Sequence, residues 1–322
     1  VVHELDFGQS AADRDRDRRV GAHRAEHEVS CGAELAALAR ASELCPPSAL
    51  VAGLAVEVSL RGTVDGRTRC RVAEREPDLD AHAAAFLAEC GPKETGAGLE
   101  PKLRVISFSR AADGGLDVEF APTTWERGRG FHMALLARDR APAQAAHLLE
   151  AALRGRPLAP GLAAVHAVVL TRDRKLVLMR RSASVLYRPS HWAATLEEQM
   201  VADDAVEPDM IARATLRGVT EELGVPRSLA RTRFLLPLVE TETLNVAFLS
   251  RVDVAFDSRE LAKLAPSASD AHDSDRIAFV DAEADELRAL VTRGGLPDHA
   301  PLHPTSALRL LALARQLDAT RP

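Results

Sequence analysis

The segment from Pro208 to Val225 constrains this chain more than any other. Ala212, Leu216, Val219 and Leu223 recur at steps of four, three and four, which on a 3.6-residue repeat is one apolar stripe. Pro208 suits the first helical position, Gly224 suits the left-handed residue that closes a helix, and Pro226 lies just beyond. A helix over 208–223 therefore buries one side. Asp209, Arg213, Arg217 and Glu221 form a second row at i, i+4 spacing, with acid and base alternating.

The end of this helix is chemically odd. Glu221 and Glu222 occupy the last turn, where the negative end of the helix dipole disfavours each carboxylate by about 0.3–1 kcal/mol. Arg217 offsets Glu221, but one turn before Glu222 stands Gly218, which offers no charge and costs about 1 kcal/mol relative to Ala inside a helix. A divalent cation would relieve Glu222, since hard cations take carboxylate oxygens. Two solvated glutamates on a surface helix are the other reading.

The flanking segments alternate strands and helices. Ala163–Thr171 is apolar and β-branched, Arg172-Asp173-Arg174 makes a turn, and Lys175–Arg180 returns as a strand. Residues 191–200 are extended, 234–241 and 244–256 are strands, 258–264 is a short helix, 266–275 a polar loop, 276–280 a strand, and 282–292 and 305–317 are helices. Earlier in the chain, helices are expected over 34–43, 80–90 and 141–154. Strands over 103–109 and 116–120 are joined by Ala111-Ala112-Asp113-Gly114-Gly115, a hairpin signal. Residues 10–30 alternate in charge and read as solvated, 48–60 is apolar without a clear period, and 91–101 is a Gly/Pro-rich loop. The fold class is α/β (α+β), a mixed sheet flanked by helices. With 322 residues the chain has room for two domains, divided near the Gly155–Gly161 linker into 1–158 and 159–322.

Arg217-Gly218-Val219-Thr220-Glu221-Glu222-Leu223-Gly224-Val225 resembles the end of the Nudix box, G-x5-E-x7-R-E-U-x-E-E-x-G-U with U apolar. Residues 167–171 and 176–182 resemble the first two strands of that fold, and His191-Trp192 precedes the motif as in many members. The resemblance covers roughly 160–320. It implies a Nudix-like mixed sheet, Mg²⁺ or Mn²⁺ as cofactor, and a nucleoside diphosphate linked to another moiety as substrate. The departures are specific. Asp203 stands at the motif's first Gly, Asp209 at its first Glu, and Gly218 at the Glu that follows Arg. In the family that Glu and the last Glu of E-E usually hold metal, so of the two only Glu222 remains. The expectation is that a carboxylate from the 195–200 segment fills the space at Gly218, Glu198 before Glu197, giving Glu198, Glu221 and Glu222 as metal ligands with Arg217 orienting Glu221. An exposed acidic strand end is the other reading of Glu197 and Glu198.

Other candidates surround this core. Strand alternation sends one of Arg180 and Arg181 inward, where an arginine clamps phosphate; an exposed basic strand end is the other reading. Tyr187 and Trp192 offer rings to a base or sugar, with a core role for Trp192 as the other reading. Asp270, Asp273 and Asp275 lie in a late loop that reads first as solvated and acidic, with a general base as the bolder reading. Thr123–His132 alternates Gly and Arg between aromatics and reads as an interdomain loop, with phosphate contact as the bolder reading. The expected activity is diphosphate hydrolysis. A nucleotide-binding sensor, or a biosynthetic enzyme reusing the pocket, is the alternative that loss of the Glu at 218 motivates. The first half would cover the substrate or mediate a homodimer.

Composition excludes several classes. A net charge of −6 provides no basic field for nucleic acid or an anionic membrane, and aromatics are only 4%. No stretch of about 18 apolar residues occurs, so no membrane span is expected. Val1-Val2-His3-Glu4 begins no secretory signal, and Cys31, Cys45, Cys70 and Cys90 form no C-x-x-C pair. A cytoplasmic protein with free thiols is the resulting expectation.

Overall fold

The computed structural model describes residues 3–6, 56–58, 68–91, 101–113, 115–185, 187–206, 209–240, 243–297 and 300–319. The expectations for 10–30 and 34–43, most of those for 48–60 and 91–101, and Cys31, Cys45 and Pro208 lie outside them. In chain order the strands and α-helices are β1 (His3–Asp6), β2 (Val56–Val58), β3 (Thr68–Val72), α1 (Ala81–Cys90), β4 (Pro101–Arg110), β5 (Leu116–Thr124), α2 (Trp125–Leu135), α3 (Pro142–Leu153), β6 (Ala163–Leu170), β7 (Lys175–Arg181), β8 (Trp192–Ala193), β9 (Leu196–Gln199), α4 (Met210–Leu223), β10 (Ala230–Glu240), β11 (Val246–Val254), α5 (Ser258–Leu264), β12 (Ser274–Asp281), α6 (Ala284–Arg293) and α7 (Pro304–Ala319).

A three-stranded sheet, β3-β5-β4, carries the expected β4–β5 hairpin. Asp113 closes its turn by accepting from the Gly115 N–H at 2.9 Å. The segment Thr123–His132 is not a loop. Thr124 caps α2 by accepting from the Arg127 N–H, and Gly128 and Gly130 are buried within that helix. A Cβ on Gly128 would stand 2.5 Å from Leu162 Cγ, so glycine here lets α2 lie close against the linker.

Among the described residues the larger sheet has nine strands, along the order β1-β12-β7-β6-β11-β10-β2 with β8 on β7 and β9 on β6. The β6–β11 pair is parallel and the others antiparallel, so the fold is a mixed α/β arrangement. β6 and β7 pair only at Leu170↔Leu176, beside their turn. They then splay, and β9 and β8 occupy the opening, so the expected hairpin is open for most of its length. β1 and β2 precede residue 158 yet join this sheet, and the Leu103 N–H donates to Met200 O at 3.0 Å, which ties β4 to the end of β9.

Burial follows strand alternation. Val169, Val177 and Leu196 face Val219 and Leu223 of α4, while Val168, Leu178 and Trp192 face α6 and α7. A further cluster brings Phe86, Phe120 and Phe131 of the first half against Val165, Ile211 and Phe248 of the second. Cys70 and Cys90 are free thiols. Among the described residues no helix is long and apolar enough to cross a membrane.

Candidate active site at the end of the α4 helix

α4 begins at Met210, two residues later than the proline suggested, because Asp209 is its cap and accepts from the Ala212 N–H at 3.0 Å. Asp209 is therefore occupied with the helix terminus and does not belong to the side-chain row of Arg213, Arg217 and Glu221. Gly224 closes the helix with φ of 69°, as the sequence indicated. The buried face runs through Ile211, Ala214, Thr215, Gly218, Val219 and Leu223, so the stripe is rotated from the predicted one and Ala212 and Leu216 are only half-buried. This rotation puts Gly218 against the sheet. Glu222, one turn on, follows it on the same face.

The space at Gly218 is taken by β9. A Cβ there would stand 3.0 Å from Glu198 Cβ, 3.2 Å from its Cγ and 3.2 Å from Leu196 Cδ1. Glu198 thus brings a carboxylate from the sheet to the helix position where Gly218 brings none. Gly218→Ala is expected to gain about 1 kcal/mol of helix propensity and return most of it by displacing the Glu198 stem. The melting midpoint should move little, while Mg²⁺ affinity measured by calorimetry falls; unchanged affinity would separate Glu198 from the cation.

Arg217 organises the cluster. Its Nε and Nη2 donate to Oδ1 and Oδ2 of Asp204 at 3.1 and 3.0 Å, and Nη2 also donates to Gln199 O at 2.8 Å. Its Nη1 reaches Glu198 at 3.1 Å and Glu221 at 2.9 Å. These partners hold its pKa above the usual arginine value against the opposing effect of burial. Asp204, only 1% exposed, also accepts from the Val201 N–H, so one guanidinium ties α4 to β9 and to the turn between them. Burial pushes the Glu198 carboxyl up, opposed by Arg217 and by Lys102, which β4 brings from the first half.

Glu222 is different. Its pKa is raised well above the ordinary carboxylate value, first by desolvation and then by the negative charges of Glu198, Asp273 and Asp270; Arg181 is the opposing cation. The loop carrying Asp270 and Asp273 is anchored here, since the Asp270 N–H donates to Glu221 O at 2.8 Å and the Ser182 N–H to Asp273 O at 2.8 Å. Arg217 thus contacts both Glu198 and Glu221, while Glu222 feels the charges of Glu198, Asp273, Asp270 and Arg181.

Several candidates do not join them. Arg180 points away from Arg181 and is bound bidentately to Asp275, both bonds at 2.7 Å, which removes both from the site. Trp192 is 0% exposed in the core beside α7 and offers no ring to a ligand. Glu197 alternates to the opposite sheet face from Glu198, where Arg309, Thr305 and His303 hold it. Tyr187 packs with its ring centroid 5.6 Å from that of His132 and 5.5 Å from that of His303. Sequence reasoning passed over Asp204 and Lys102, which no motif or periodicity marks.

The carboxylates acting on Glu222, those of Glu198, Asp270 and Asp273, outnumber the one opposing cation, Arg181, and oxygen donors of this kind are what a hard divalent cation takes. Among the described residues no three His, Cys, Asp or Glu side chains stand close enough to form a closed cage. Mg²⁺ does not require one, since it usually keeps several waters and takes one or two carboxylates together with substrate phosphates.

No protein-family model matches the chain, and no curated protein does. Several solved structures are similar to about half of it. A Deinococcus radiodurans protein is 18% identical over 48% of this chain and 82% of its own, with a TM-score of 0.34. The NUDIX domain of Shewanella oneidensis NrtR, complexed with ADP ribose, is 18% identical over 48% and 87%, with a TM-score of 0.31. The MutT protein of Methanosarcina mazei is 15% identical over 50% and 96%, with a TM-score of 0.30. Likeness at this level says nothing of what the chain does.

Proposed function

We propose that this protein is a divalent-cation-dependent hydrolase of a nucleoside diphosphate linked to another moiety. The observation that carries the reading is Glu222, a desolvated carboxylate at the helix end, facing Glu198 whose stem fills the gap at Gly218. Glu222 and Glu198 would hold Mg²⁺ or Mn²⁺, with Glu221 beside them. Bound there, the cation would neutralise the diphosphate and lower the pKa of a water for attack on phosphorus.

The protein's own groups supply the rest. Arg217 holds Glu198 and Glu221 in place, so the carboxylates are oriented before substrate arrives. Arg181 is the cation on the Glu222 side; burial lowers its pKa, and the charge of Glu222 opposes that effect. With Arg180 bound to Asp275, it is the arginine of the pair that would take a phosphate oxygen. Asp270 and Asp273 are the acids at the mouth of the site from which a proton acceptor would come.

A second reading has its own observation. Arg217 already occupies oxygens of Glu198 and Glu221 as an internal cation, which suits a binding protein that no longer hydrolyses. One assay separates the two. Purified protein is offered a panel of nucleotide-linked diphosphates with Mg²⁺ or Mn²⁺, beside Glu222→Gln. Turnover that falls at least about a hundredfold in the variant supports hydrolysis. Saturable binding without turnover in the unaltered protein supports the sensor and sinks the hydrolase.

A further inference from the structure

The first half of the chain holds a cationic group that the proposed chemistry does not use. β4 alternates, so Lys102 and Arg104 share the face opposite Leu103 and Val105, which belong to the apolar core. Lys102 is the residue whose charge acts on Glu198. Arg104 follows about 7 Å further along the strand. Its side chain is 4% exposed, and its Nε lies 3.6 Å from Glu76 Oε1, too far for a hydrogen bond. Among the described residues nothing accepts from Arg104 Nε or Nη1. Burial lowers its pKa, Glu76 opposes that effect and Arg127 adds to it.

Glu76 is the internal anion of this group. It lies between β3 and α1, in a stretch that is neither strand nor helix. Its Oε1 accepts from the Thr123 hydroxyl at 3.1 Å and its Oε2 from Arg127 Nη1 at 2.6 Å. Both guanidiniums therefore face one carboxylate, and the space between them is the one that carboxylate fills. That space is open to solvent on one side, since the Arg127 side chain is 45% exposed and that of Glu76 16%. The occupant fits it poorly. Its two oxygens serve Thr123 and Arg127, and neither stands within hydrogen-bond distance of Arg104, a buried cation with open N–H groups. Two arginines against one glutamate also leave one positive charge in excess. A phosphate monoester answers both deficits, with three acceptor oxygens and a charge of about −1.5 to −2. Thr123 and Arg127 belong to the Gly- and Arg-rich segment whose sequence admits phosphate contact, and the fold adds Arg104 from β4.

We propose that Arg104, Arg127 and the Thr123 hydroxyl form a subsite for a phosphate monoester borne by the moiety linked to the nucleoside diphosphate, with Glu76 as the carboxylate it displaces. The inference rests on the proposed reading of the substrate, and its first test is independent of turnover.

Glu76→Gln removes the internal anion. Melting of this variant and of the unaltered protein is followed in chloride, acetate and inorganic phosphate at equal ionic strength, without divalent metal. Phosphate should raise the midpoint of the variant more than that of its parent, and more than acetate or chloride does. By calorimetry, inorganic phosphate should bind Glu76→Gln at least about tenfold more tightly than it binds the parent. Because Arg104→Gln risks unfolding, the cation is tested at the half-exposed Arg127, where Arg127→Gln should weaken phosphate binding at least about tenfold. No gain of affinity in Glu76→Gln, or equal midpoint shifts from chloride, overturns the subsite, since a purely structural ion pair gains nothing from phosphate. Nucleotide-linked diphosphates with and without a phosphate monoester on the second moiety are then compared in Mg²⁺. The phosphorylated member should bind at least about tenfold more tightly, a preference lost in Arg127→Gln. Phosphate binding without that preference overturns the assignment to the substrate. Phosphate-selective binding with no hydrolysis would sink the hydrolase and leave this subsite standing; hydrolysis without any effect of phosphate would do the reverse.

Discussion

Glu222→Gln raises the melting midpoint of the metal-free protein at neutral pH, and the gain vanishes in acid. The carboxyl of Glu222 is desolvated and faces Glu198, Asp273 and Asp270, so its pKa lies well above the ordinary value. At a pH below the ordinary carboxylate range the folded and unfolded chains both hold the proton, and the charge costs nothing. As pH rises through that range the unfolded chain ionises first and stability falls, until Glu222 ionises in the folded protein as well. Above that point the full cost is present. The neutral amide avoids it, for an expected gain of about 1–3 kcal/mol, with each kcal/mol worth roughly 2–4 °C in a domain of 150–250 residues. Mg²⁺ should raise the midpoint of the unaltered protein at neutral pH and leave that of the variant unmoved. Melting curves across the acid to neutral range, with and without Mg²⁺, give both results. A variant less stable than its parent at neutral pH would show that Glu222 is compensated and would remove the case for a cation beside it.

Loss of Arg217 acts in the opposite direction. Arg217→Met leaves Asp204, 1% exposed, and Glu198, 19% exposed at its side chain, without their shared cation. Removing one partner of a buried pair costs about 3–5 kcal/mol, most of it the penalty on the charge left behind. The coupled change Arg217→Met with Asp204→Asn should recover a large part of that loss, since the stranded charge is then gone. Arg217→Lys should fall between, because an ammonium cannot make the bidentate contact with Asp204. Denaturant titration of the three proteins decides the matter. A single variant within about 0.5 kcal/mol of the parent would mean that the guanidinium organises nothing.

The site was legible where its chemistry is local. Arg217 and Glu221 lie one helical turn apart, so their ion pair follows from i, i+4 spacing alone. Gly218 was legible as an anomaly, a poor helix former at a position where the resembling motif has a carboxylate. The choice of Glu198 over Glu197 was not forced by spacing. It depends on which face of β9 meets α4, and the same alternation sends Glu197 to Arg309 and turns Arg180 toward Asp275. Trp192 reads as core more readily than as a ring for a ligand, and its neighbours in the packed cluster decide for core. The helix α2 replaced an expected loop in a segment whose Gly128 serves a close approach to Leu162, a contact that local propensity does not register.

From the sequence by itself come the α4 helix with its closing glycine, the alternation of strands and helices that makes the sheet mixed, and the two carboxylates, Glu221 and Glu222, of the helix's last turn. Each is a short-range property, carried by periodicity, capping and adjacency along the chain. The tertiary structure alone decided which face of α4 is buried, which charges lose their water, and which residues far apart in sequence share a face. Desolvation of Glu222 and the pairing of Glu197 with His303 are of this kind. They arise from what surrounds a group in space, and no window along the chain contains that surrounding.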